Sequence, residues 1–100
     1  MKRAGISIQQ IKRKRKDIFR LASAHGVRNI RIFGSVARGE AGPRSDVDVL
    51  VDVEENRSLL DLGGFQIDLQ DLLGVSVGVV TEPSLHWYIR DRTLREAIQL

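Results

Sequence analysis

Asp46 and Asp48 stand two residues apart at the start of an alternating stretch. On an extended strand, side chains two apart share a face, with Cα atoms ~6.6 Å from each other. Carboxylates so placed can converge on one or two Mg²⁺ ions, because Mg²⁺ favours hard oxygen ligands and commonly takes carboxylates together with substrate phosphates. Upstream, Gly34-Ser35 precedes Asp46 by a ten-residue spacer. A residue without a side chain lets backbone N–H groups approach an anion, and Ser35 adds a hydroxyl and its own N–H. A phosphate-binding turn opposite a paired-carboxylate strand is suited to metal-assisted phosphoryl or nucleotidyl transfer. Taken singly, each signal is weak: Gly-Ser after a strand is common, and Asp-x-Asp also fits a solvated strand edge. Their joint order carries the functional reading.

The elements that must position these residues are legible in outline. Apolar residues from Ile8 to about His25 fall mostly at helical spacing, with Ser7 as N-cap and Gly26 as terminator. Residues 29–33 alternate as a strand ending at Gly34. Residues 34–45 hold three glycines and a proline, and read as a loop with one helical turn. Val47 to Val53 is the clearest strand, with the valines on one face and Asp46, Asp48, Leu50 and Asp52 on the other. Ser58 and Asp61 form a capping box for a helix to about Leu73, weakened by Gly63-Gly64 and closed by Gly74. Val75 to Val80 reads as a third strand, and a last helical region starts near Pro83, with a break near residues 90–92. The expected fold class is α/β (α+β): a small mixed sheet with helices packed on it.

One hundred residues suit a single domain, residues 1–100. The absence of cysteine excludes a disulfide framework, a thiolate zinc site and a cysteine nucleophile. His25 and His86 are too far apart in sequence to suggest a histidine metal cluster. No apolar run approaches the ~20 residues of a membrane span. The basic start is not followed by an apolar block, so no secretory signal is read and the expected location is the cytoplasm. The net charge of +3 hides an asymmetry: residues 1–16 carry seven bases and no acid, and the other 84 residues carry a net −4. The high isoelectric point belongs to one end of the chain.

The stretch GSVARGEAGPRSDVDVLV resembles the glycine-serine and Asp-x-Asp motif of the minimal nucleotidyltransferases, within the DNA polymerase beta-like superfamily. The similarity runs from about residue 26 to 100 and includes SLLDL, LLG, VVTE and YIRDRTLREAI. It implies Mg²⁺-dependent transfer of a nucleoside monophosphate from ATP or another NTP. It also implies a HEPN-type toxin as partner, with the small transferase as antitoxin, in some pairs modifying a toxin tyrosine with AMP. By position, Gly34 and Ser35 match the phosphate-binding pair, and Asp46 and Asp48 match the first two metal ligands. Arg38 and Ser45 match further motif positions, and Arg38 could meet a phosphate. The resemblance also implies a third carboxylate on the strand after LLG, where the family reads roughly V-D-L-V-T. This chain reads Val77-Gly78-Val79-Val80-Thr81, so Gly78 stands at that position. Its loss is expected to spare triphosphate binding more than chemistry, and two ions require the third ligand from elsewhere. Asp52 is no substitute, being ~13 Å along the strand from Asp48.

Three functions compete. The first is nucleotidyl transfer to a partner protein by Asp46, Asp48, Gly34 and Ser35. The second is an antitoxin or nucleotide-binding module without catalysis, which Gly78 motivates. The third is a nucleic-acid-binding module driven by the basic residues 2–16, with a secondary contact through Lys12 to Lys16, against which stands a solvated helix face. Five adjacent bases cannot all face outward on one helix, so some are expected near a partner or lying along the surface. His25 is expected to cap a helix C-terminus. Trp87 is expected in the core or at a dimer or partner surface, so a homo-oligomer remains open. Tyr88 is expected to pack.

Overall fold

A computed structural model describes residues 5–100. Lys2 and Arg3 of the basic segment lie outside the described residues. The elements are α1 (Ile8–Arg13), α2 (Arg15–Ala24), β1 (Val27–Phe33), α3 (Gly34–Ala37), β2 (Val47–Val53), α4 (Leu59–Leu73), β3 (Val77–Thr81), a 3-10 turn (Glu82–Ser84), α5 (Trp87–Glu96) and β4 (Ile98–Gln99). The four strands form one mixed sheet in the order β3-β2-β1-β4. β1 runs antiparallel to both β2 and β4, and β2 runs parallel to β3.

The alternation along the strands decides which face is packed. Val47, Val49 and Val51 of β2, Ile30 and Ile32 of β1 and Val77 of β3 are buried in one core. α4 covers them with Phe65, Leu69 and Leu73, spaced four apart on one helical face. Ile11, Ile18 and Ala22 bring residues 8–24 into the same core. The intervening residues, Phe33, Asp48 and Gly78, therefore share the opposite face. Leu50 on that face is also fully buried.

Several boundaries differ from the sequence expectation. Residues 8–25 form two helices, broken at Lys14 (φ −97°, ψ 11°). The break turns Lys12 to Lys16 outward together, so all five are exposed. Lys14 Nζ donates to the Leu72 carbonyl at 2.9 Å, placing a cation on the last turn of α4. The interruption of the final helical region falls at residues 85–86, and α5 runs unbroken through residues 90–92. β4 is absent from the sequence reading; two residues carry too little alternation to read as a strand, and their pairing with Arg31 and Ile32 forms it. Trp87 is 81% exposed and Tyr88 67%, which corrects both the core reading of Trp87 and the packed reading of Tyr88. Both start α5 on its solvent side. His25 caps α2, and its Nε2 meets Asp68 Oδ2 at 2.7 Å. Among the described residues, no helix is long and apolar enough to cross a membrane.

The glycines of α4 make opposite predictions. A Cβ at exposed Gly63 would meet nothing within 4 Å, whereas Gly74 sits at φ +70° in the left-handed C-cap. Gly63→Ala is expected to stabilise by about 1 kcal/mol through helix propensity. Gly74→Ala is expected to destabilise by ~1 kcal/mol through left-handed strain. Thermal melts should move in opposite directions by about 4–8 °C.

Candidate nucleotide site

The site begins with the register of β1 on β2. Phe33 pairs with Asp48, so the chain leaves β1 directly beside that aspartate. Gly34 follows at φ +73°, and a Cβ there would collide with Asp48 Oδ2. The backbone angle favours glycine, and a side chain there would also have to displace the Asp48 carboxylate. The chain then enters α3, held down by buried Val36. Ser35, half-buried, is its second residue, and the Ser35 carbonyl accepts from Glu40 N–H at 2.8 Å.

The return loop delivers the aspartates. Ser45 Oγ accepts from Gly42 N–H at 2.8 Å, and Ser45 N–H donates to the Gly42 carbonyl at 3.1 Å. Ser45 thus closes the turn before Asp46. Asp46 is exposed and Asp48 half-buried. Val47, between them, lies fully buried, and its N–H donates to the Ser76 carbonyl at 2.9 Å. The Asp48 carboxyl has a raised pKa, first from burial and then from repulsion by Asp46, with Arg38 opposing and Glu96 adding to the rise. Arg38 Nε donates to Glu40 Oε2 at 3.0 Å, and its Nη1 donates to both oxygens of Glu96 at 3.2 Å. These bonds, with Glu40 foremost, push the guanidinium pKa above its ordinary value.

Gly78 lies on the other flank. It pairs with Asp48 in the parallel ladder, and a Cβ on it would stand 3.7 Å from Asp48 Oδ1. That is ordinary contact, so a side chain fits there and would point toward Asp48. Three other acids are engaged elsewhere. Asp52 accepts from Asn29 and Arg31, Asp68 meets His25, and Glu82 accepts from Arg90.

The structure brings Gly34, Arg38 and Asp46 near Asp48, with Ser35 next along the chain from Gly34. It adds Glu96, which no sequence motif singled out. Its carboxylate accepts from Gly34 N–H at 3.0 Å. An acid sixty-two positions downstream of its partner carries no local spacing signal. A cleft of about 500 Å³ is lined by Phe19, Val27, Ile30 and Leu100; it lies at the start of β1, whereas Gly34 follows its end. The carboxylates do not line it.

Asp46 and Asp48 offer hard oxygen donors of the kind a divalent cation prefers. Asp46 and Asp48 repel each other, and no side-chain hydrogen bond to Asp48 occurs among the described residues. A cation would relieve that repulsion. No group of three or more His, Cys, Asp or Glu able to hold a metal occurs among the described residues. Two carboxylates fit Mg²⁺ completed by water and phosphate oxygens, rather than a cage built wholly of protein.

A family model described as a nucleotidyltransferase domain matches residues 8–100. The chain therefore belongs to the nucleotidyltransferase-domain family. Within that class it is a member of the minimal nucleotidyltransferases, as its relatives make plain. A Methanocaldococcus jannaschii protein named as a candidate protein adenylyltransferase is 42% identical over 95 residues, which is 95% of this chain and 99% of that protein. The protein adenylyltransferase MntA of Thermococcus cleftensis is 46% identical over 78 residues, 78% of this chain and 79% of that protein. A solved structure named as a candidate minimal nucleotidyltransferase superposes with a TM-score of 0.83 at 43% identity, covering 95% of this chain and 97% of the other. A solved complex of a tri-AMPylated Shewanella oneidensis HEPN toxin with an MNT antitoxin shares the fold at a TM-score of 0.64 and 17% identity, over 88% of this chain and 69% of the other.

The raised proton affinity of Asp48 makes a stability prediction. A carboxyl pKa higher in the folded state favours folding at low pH, and that contribution is lost as pH rises through the folded pKa. Asp48→Asn removes the buried, repelled charge and is expected to melt a few degrees above the parent at pH 7. The difference should shrink as pH falls and vanish below about 3, under the unfolded value of ~3.9, where the carboxyl is neutral in both states. Melting curves across pH measure it.

Proposed function

We propose that the chain transfers a nucleoside monophosphate, AMP foremost, from a nucleoside triphosphate to a hydroxyl on a partner protein. The observation that carries this reading is the apposition of Gly34 to Asp48. A bare backbone turn and two acidic side chains meet where the end of β1 adjoins the start of β2. The adenylyltransferase names of the close relatives support ATP as donor.

In this reading Gly34 N–H, with the N–H and hydroxyl of Ser35, receives phosphate oxygens, and Arg38 lends positive charge. Ser45 acts by closing the turn that aims Asp46. Asp46 and Asp48 would hold Mg²⁺, which when bound supplies charge neutralisation for the triphosphate. The acceptor oxygen forms a bond to the α-phosphorus, and the bond to the pyrophosphate oxygen breaks. The hydroxyl proton leaves to solvent, because Gly78 offers no carboxylate to receive it. Residues 1–100 act as one domain in this account. The acceptor is proposed to lie on a HEPN-type toxin, supported by the shared fold with the antitoxin of the Shewanella complex.

Gly78 favours a second reading. A site with two carboxylates can hold nucleotide while transferring slowly, and neutralise its partner by contact alone. The exposed Trp87 and Tyr88 offer apolar surface for such contact.

The readings separate in one experiment. The chain is incubated with labelled ATP, Mg²⁺ and a HEPN-type partner protein. Enzymatic transfer labels the partner, and Asp46→Asn with Asp48→Asn abolishes the label by at least ~100-fold, as loss of charge stabilisation at a transfer site typically does. Partner neutralisation without label, unchanged in the double variant, establishes the second reading. Gly78→Asp is expected to raise transfer and to deepen its dependence on Mg²⁺. The same substitution should lower the melting temperature without Mg²⁺, since it adds a like charge beside Asp48.

A further inference from the structure

Glu96 is the last residue of α5, and its position is fixed by the elements on either side. Buried Thr93 pins the last turn, and Ala97 N–H donates to the Thr93 carbonyl at 3.0 Å. Directly after it, Ile98 pairs with Ile32, two residues before Gly34. The carboxylate is thereby carried to the end of β1, with only 18% of the side chain exposed. There it accepts from Gly34 N–H at 3.0 Å and from Arg38 Nη1 at 3.2 Å through each oxygen. A carboxylate and a phosphate offer the same chemistry to such donors: negative oxygen atoms in a plane or tripod, matched to N–H groups.

We propose that Glu96 is a built-in competitor at the phosphate cradle. Its carboxylate holds the Gly34 N–H and the Arg38 guanidinium, the donors a triphosphate would use, and must release them as the nucleotide binds. This rests on the nucleotide reading of Gly34 given above. The competition sets nucleotide affinity below what the cradle alone would give. It also keeps the cradle donors satisfied, since an unpaired N–H is unfavourable away from water. Glu96 further adds to the negative potential at Asp48. Its withdrawal therefore frees two donors and reduces repulsion at the carboxylate pair in one movement. Glu96 reaches the cradle from the β4 side of β1, whereas Gly78 lies on the far side of β2, so it does not replace the missing third carboxylate.

A purely structural role would be a tie between α3 and α5. The two roles differ in the sign of one effect. Calorimetric titration compares the parent chain with Glu96→Gln, using ATP with Mg²⁺ and, separately, inorganic tripolyphosphate. The competitor role predicts that Glu96→Gln binds both probes about three- to tenfold more tightly, a change of up to ~1.4 kcal/mol. Unchanged or weaker binding by Glu96→Gln, with the parent binding normally, overturns the competitor role and leaves the nucleotide site standing. Failure of both chains to bind either probe overturns the nucleotide site and the competitor with it. If Glu96→Gln does not fold, NMR of the parent decides the matter. As tripolyphosphate is added, the Gly34 amide and the Glu96 side-chain carboxyl signals should shift together with one dissociation constant. A shift at Gly34 without one at Glu96 overturns the proposal.

Discussion

The pairing of Phe33 with Asp48 across β1 and β2 is the constraint on which the rest of the site depends. Strand register is strongly specified when one face is buried, because a one-residue slip would turn every core valine of β2 to the other face. Val47, Val49 and Val51 are all fully buried, so the core fixes the register and the register fixes Gly34 against Asp48. The geometry of the candidate site is thus set by packing on the opposite face of the sheet. Asp48 is held in a half-buried position beside a like charge, an arrangement that is unfavourable for folding and useful for a cation.

Much of this was legible in the residues. The Val47–Val53 alternation, the turn at Gly34, the Ser58-Asp61 capping box and the Gly74 stop are local signals, and the structure contains each of them. What escaped was tertiary. The break at Lys14 has no proline or glycine to mark it; the Lys14 side chain instead docks on the Leu72 carbonyl of α4. β4 exists because β1 offers it an edge. Glu96 joins the site because β4 pairs beside the end of β1, a consequence of sheet order rather than of spacing. Trp87 misled for a related reason: an aromatic residue is usually buried, and its exposure is decided by what α5 leaves uncovered.

Gly78 stands where the resemblance implies a third carboxylate. The parallel ladder puts its Cα beside Asp48, and the space above it admits a side chain, so no steric requirement accounts for glycine there. Two acids remain where the resemblance implies three. On the other flank a third acid, Glu96, approaches, bound to the cradle rather than to the carboxylate pair. The negative charge around Asp48 is thereby distributed differently from what the motif alone suggests.

Chemical-shift mapping with ATP and Mg²⁺ on the uniformly ¹⁵N-labelled chain tests the central claim most directly. The largest amide shifts are expected on Gly34, Ser35 and residues 46–48, with smaller ones along β3 near Gly78. Shifts confined to the cleft beside Phe19, Val27 and Leu100, at the opposite end of β1, would contradict it.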